Sequence, residues 1–98
     1  MKPVVDYHAA ESEFLAAVYW CEGERPGRGV RLDMQVEKAE QQIQKHSQPG
    51  TRHIHGTRRL VLARFPYALI YLVEVDWCYI VAFAHAKRRP GYWCERLK

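Results

Sequence analysis

Arg59-Leu60-Val61-Leu62-Ala63-Arg64, Ala68-Leu69-Ile70-Tyr71-Leu72-Val73-Glu74-Val75 and Cys78-Tyr79-Ile80-Val81-Ala82-Phe83-Ala84 follow one another with little more than a turn between them. Each run is rich in β-branched, aromatic and other apolar residues. Pro66 breaks the chain after the first run and Asp76-Trp77 after the second, so all three read as strands. Connections this short force neighbouring strands to be antiparallel, because a parallel return needs a crossover of about a dozen residues or more. Three consecutive antiparallel strands therefore set the frame, and the rest of the chain must supply their cover.

Upstream, Pro3 to His8 alternates Val4, Asp6 and His8 with Val5 and Tyr7, which suits a short strand with proline at its start. From Ala9 to about Glu24, Phe14, Val18 and Cys21 recur at helical spacing beside Ala10 and Ala17, while Glu11, Glu13 and Glu22 fall on other faces. The early Glu11 and Glu13 complement the positive end of the helix dipole. Three glycines and Pro26 between Gly23 and Gly29 stop this helix and start a turn. A second helix is expected over Val30–Lys45, with Leu32, Val36, Ala39 and Ile43 on a narrow apolar stripe suited to packing against a neighbour. His46 to Thr57 is polar and punctuated by Pro49-Gly50 and Gly56, a loop. The expected fold is α+β, in the order β-α-α-β-β-β: an antiparallel sheet with a helical hairpin packed on one face, residues 1–98 forming one domain.

A chain of 98 residues can build only a thin core, and its 12% aromatic content gives that core large side chains. Cys21, Cys78 and Cys94 are odd in number and have no Cys-x-x-Cys spacing, so reduced thiols are expected rather than disulfides or structural zinc. The N-terminal residues lack the apolar core of a signal peptide. No apolar run approaches the roughly 18 residues of a membrane span. These features point to the cytoplasm, with no membrane association. Charge is divided: residues 1–50 carry six Lys/Arg against eight Asp/Glu, and residues 51–98 carry nine against three. The basic second half favours an acidic partner, nucleic acid or an acidic protein segment, although a solvated basic face would look the same.

Several side chains there carry candidate chemistry. Arg64 precedes Phe65-Pro66-Tyr67, and a guanidinium at a strand end either grips a phosphate or carboxylate or pairs with a nearby acid. His85 follows the last apolar run and is either a general acid or base or a hydrogen-bonded structural residue. Arg88-Arg89-Pro90-Gly91-Tyr92-Trp93 interleaves cations with aromatics, a pattern that clamps phosphates and stacks bases. The alternative for the same segment is to fold onto the sheet, with Trp93 covering strand surface and Arg88 or Arg96 paired with Glu74 or Glu95. His53-Ile54-His55, with His46 nearby, gives only a weak metal signal, because no cysteine or carboxylate lies at useful spacing. No metal or other cofactor is expected.

Arg64-Phe65-Pro66-Tyr67 and the ending from His85 through Arg88, Pro90, Tyr92 and Trp93 to Arg96 resemble the RelE/ParE superfamily of type II toxin–antitoxin toxins. The chain is more similar to the ParE, plasmid-stabilisation branch than to the RelE branch. The resemblance implies a growth-inhibiting toxin neutralised by a cognate antitoxin, acidic and folding on binding, with Leu32, Val36, Ala39 and Ile43 as its contact stripe. It implies DNA gyrase as target, bound and trapped without hydrolysis, through Arg58, Arg59, Arg64, Arg88, Arg89, Tyr92 and Arg96. The alternative is a ribosome-dependent mRNA endonuclease using Arg64, His85, Arg88 and Tyr92, in which basic side chains assist attack of a 2′-hydroxyl on phosphate. No lysine lies between Lys45 and Lys87, and arginine is a poor proton carrier, so this departure from the RelE pattern disfavours cleavage. A non-toxic member that only binds antitoxin is a third possibility.

Overall fold

A computed structural model describes residues 2–97. Its elements are β1 (Val4–Asp6), α1 (His8–Glu24), α2 (Arg28–His46), β2 (Thr51–Arg52), β3 (Arg58–Val61), β4 (Tyr67–Val73) and β5 (Cys78–His85). Short 3-10 turns occupy Ile54–Gly56 and Cys94–Leu97. The strands form one sheet in the order β1-β5-β4-β3-β2. Three pairings are antiparallel, as the short connections require. β1, however, runs parallel to β5, so the sheet is mixed, with its antiparallel part formed by the later strands. The whole helical hairpin and three strands separate β1 from β5 in sequence, so no tight turn dictates their relative direction. β2 is a two-residue strand inside the segment expected to be loop, pairing Thr51 with Arg59 and Arg52 with Arg58.

α1 ends where Arg25-Pro26 cannot continue it, and Gly27 takes a left-handed φ of 88° that glycine tolerates. The Glu22 carboxylate accepts hydrogen bonds from the N–H groups of Gly27 (2.9 Å) and Gly29 (3.1 Å). An acid of α1 thereby satisfies amides that the start of α2 would otherwise leave bare. The two helices approach so closely there that a Cβ on Gly29 would stand 2.7 Å from the Val18 carbonyl oxygen.

Leu32, Val36, Ala39 and Ile43 are each at most 6% exposed and pack, with Ala10, Ala17 and Cys21, on Leu69, Tyr71, Ile80 and Phe83 of the sheet. The stripe expected to contact an antitoxin is thus occupied by the sheet within the chain itself. The narrow stripe turns inward and covers this face of the sheet. Tyr71, fully buried, anchors the segment after α2: its hydroxyl donates to the Ser47 carbonyl and accepts from the Gly50 N–H. Among the described residues no helix is long and apolar enough to cross a membrane.

Candidate functional site

The opposite face of the sheet is covered by the chain beyond β5. Trp93, 1% exposed, lies there on Ile70, Val81 and Ala82, with Leu72, Ala84, Tyr92 and Leu97 around it. A bulge prepares its anchorage. Ile70 pairs with Ala82 and Tyr71 with Ile80, so Val81 has no partner on β4. β1 stops opposite Ile80, leaving the next stretch of the β5 edge without a neighbouring strand. Side chains take over: Arg96 Nη1 donates to the Val81 carbonyl at 3.0 Å, and the Phe83 N–H donates to Glu13 Oε1 at 3.1 Å.

Glu13 and Arg96 then bind each other through two parallel hydrogen bonds of 2.9 and 3.0 Å, and the Tyr92 hydroxyl donates to Glu13 Oε2 at 2.7 Å. Burial alone pushes the Glu13 carboxyl up, but the bonds from Arg96, Tyr92 and the Phe83 amide outweigh it and hold the group below its ordinary value. Tyr92 shifts the other way: burial and its bond to Glu13 raise its phenol. It is a committed donor, not a base. Sequence reasoning gave Glu13 only a helix-dipole role, because only the folded tail reveals what it faces.

A cleft of about 130 Å³ opens between this tail and the sheet, lined by His53, Arg59, His85, Arg88, Arg89, Tyr92 and Trp93. The Arg88 guanidinium lies 3.8 Å from the centroid of the Tyr92 ring, within cation–π range. His85 accepts a hydrogen bond at Nδ1 from the Lys87 N–H (3.0 Å) and meets Tyr67 edge-on at 5.1 Å. With Nδ1 accepting, the neutral ring carries its proton on Nε2, which is then a donor. His53 and His55 both approach the Trp93 ring, each at 5.9 Å between centroids. Burial, with Arg59 and His55 nearby, lowers the pKa of His53 and favours a neutral imidazole near pH 7.

The cleft thus gathers Arg59, His85, Arg88, Arg89 and Tyr92 of the expected set. Arg64 stands apart, exposed in the turn between β3 and β4 with a left-handed φ of 71°. β3 ends at Val61, three residues short of the expected strand end, because the chain is already turning. Arg58 donates to the Gly50 carbonyl at 2.7 Å and ties down the loop after α2. Arg96 serves Glu13. His53 enters the cleft unannounced by sequence: its spacing to His55 suggested only a metal, and its place depends on a distant contact with Trp93.

No protein-family model and no curated protein matches the chain. Among solved structures it is similar to a chain of the chromosomal ParDE TA (toxin–antitoxin) system from P. aeruginosa. The TM-score is 0.75 over 87% of this chain and 96% of that chain, with 16% identity. At that identity the likeness is one of fold, and it is the RelE/ParE-like fold that the sequence resemblance implies.

Proposed function

We propose that the chain is the toxin of a type II toxin–antitoxin pair, one toxin domain over residues 1–98 working in the cytoplasm, and a ParE-like inhibitor that traps DNA gyrase without hydrolysis. The observation that carries the pairing is the outward side of the helical hairpin. Leu15 (56% exposed), Tyr19 (85%), Val30 (60%) and Met34 (63%) leave apolar surface there that a partner folding on binding would cover. The fold shared with a chain of the ParDE system supports the same reading. Exposed Arg64, Arg88 and Arg89 supply an electropositive face for the target or for an acidic antitoxin segment. Binding without cleavage is favoured because Tyr92 is committed to Glu13 and His85 accepts at Nδ1, which engages two of the groups that proton transfer would need.

One observation favours the second reading, an mRNA endonuclease: His53 sits in the cleft beside Arg59, where a neutral imidazole would accept a proton while arginines hold the phosphate. Expression of the chain alone, with plasmid supercoiling and transcript integrity followed in one culture, separates the two. The expected result is impaired supercoiling, intact transcripts and no effect of His53→Ala. Codon-positioned cleavage lost in His53→Ala, with gyrase unimpaired, would establish the endonuclease instead.

A further inference from the structure

The hairpin's outward surface has a chemical bias. A groove of about 470 Å³ runs between α1 and α2, lined by Phe14, Leu15, Val18, Tyr19, Val30 and the acids Glu22 and Asp33. Met34 lies one turn beyond Val30 on α2. Phe14 and Asp33 also line an adjoining pocket of about 200 Å³, whose floor is apolar and whose charged residues are Asp6, Asp33, Glu37 and Glu40. Every charged residue lining the two cavities is a carboxylate; no Lys, Arg or His is among them. Glu22 is occupied at the start of α2. The others crowd one another: burial, then Asp6, Asp33 and Glu37, push Glu40 up to about 7, and Asp6 shares a hydrogen bond with it.

We propose that the partner segment covering this hairpin is cationic and amphipathic, its apolar side resting on Leu15, Tyr19, Val30 and Met34 and its arginine or lysine side chains entering the carboxylate-lined pocket. The inference rests on the reading that a partner covers the hairpin, and it specifies that partner's chemistry. An acidic segment laid here would add like charge to Asp33, Glu37 and Glu40, whereas a cation with an apolar stem matches both the floor and the charge of the pocket. The acidic stretch expected of an antitoxin is then confined to the basic tail and sheet face. The covering chain carries two charge blocks in register with the two sides of this molecule.

The test is a display library of amphipathic helical 16-mers with leucine fixed on one face and the remaining positions free to be Lys, Arg, Glu or Gln, selected against the full chain. The selected pool is expected to be enriched in Lys and Arg, and its peptides to bind about tenfold more weakly to Asp33→Asn/Glu37→Gln/Glu40→Gln. Loss of binding to Leu15→Glu/Met34→Glu places the peptides in the groove. A pool rich in Glu or Gln, or one indifferent to the triple substitution, would overturn the cationic partner while leaving the covering intact. A selection that yields no hairpin binder overturns both. Far- and near-ultraviolet dichroism confirm that each variant is folded, and the single variant Glu37→Gln repeats the measurement if the triple variant is not.

Discussion

The two faces of the sheet are covered by different means. On one, two helices of 17 and 19 residues bury a continuous apolar core, so many side chains share the work. On the other, a tail without regular helix is held by one large aromatic, Trp93, and one carboxylate, Glu13, that gathers Arg96, Tyr92 and the β5 edge. Redundant packing tolerates single losses, whereas a cover pinned at two points does not. The cleft that holds the candidate residues lies under the second kind of cover, so its geometry and the tail's stability are one problem.

The largest expected effect follows. Trp93→Ala removes the side chain on which Ile70, Val81, Tyr92 and Leu97 converge, and large-to-small substitutions of buried aromatics cost about 3–5 kcal/mol. That is a large fraction of the roughly 5–15 kcal/mol by which a domain is stable. Denaturant unfolding should show it, together with early loss of protection at Phe83. A loss below about 1 kcal/mol would mean that the tail face is not held as described.

Next comes Glu13→Ala, which leaves the Tyr92 hydroxyl and the Phe83 amide without their acceptor and reduces Arg96 to its bond with the Val81 carbonyl. A cost of about 2–3 kcal/mol is expected, since stranded partners lose more than the bond they made. The double variant Glu13→Ala/Arg96→Ala should be less than additive, because removing the second partner no longer strands a charge. Strict additivity would show that the pair is not coupled.

These two faces also differ in what the sequence discloses. Strands β1, β3, β4 and β5 and both helices are legible from periodicity, turns and breakers, because those signals are local, whereas the two-residue β2 is not. The parallel direction of β1, the inward turn of the Leu32–Ile43 stripe, and the roles of Glu13 and His53 are not. Each depends on a contact between parts of the chain far apart in sequence, Glu13 with Arg96 and His53 with Trp93. Charge splitting did point to a basic second half, but only the fold separates Arg96, bound to Glu13, from Arg88 and Arg89 at the cleft.

Titration sharpens the contrast, because the carboxylates on the two sides shift oppositely. Glu13 is held below its ordinary value, so its contribution is present at neutral pH and is lost as pH falls through its folded pKa. Glu40, facing Asp6 on β1 and Asp33 and Glu37 on α2, with Glu11 of α1 beside Asp6, is raised to about 7. The folded chain holds that proton more tightly than the unfolded one, so stability should fall as pH rises from about 4.5 through 7. Glu40→Gln should flatten this decline and raise the melting temperature at pH 8 relative to wild type, while leaving the acid limb to Glu13. A decline unchanged by Glu40→Gln would assign it elsewhere.

The smallest expected effect on stability is at the cleft rim. Arg88 and Arg64 are exposed, so Arg88→Ala and Arg64→Ala should each change stability by only about 0.5–1 kcal/mol, Arg88 the more because its guanidinium lies on Tyr92. Their consequence belongs to recognition. Both substitutions remove a cation from the electropositive side, and weaker engagement of an anionic target is expected, with a salt dependence shallower than that of the wild type. The ranking of the two tests the site itself: Arg88 lines the cleft with Arg59, Arg89 and His53, whereas Arg64 stands in the turn outside it. If target binding runs through the cleft, Arg88→Ala must cost more affinity than Arg64→Ala. The reverse order would move the contact surface from the cleft to the β3–β4 turn, and the basic face would act as a broad attractor rather than a shaped site.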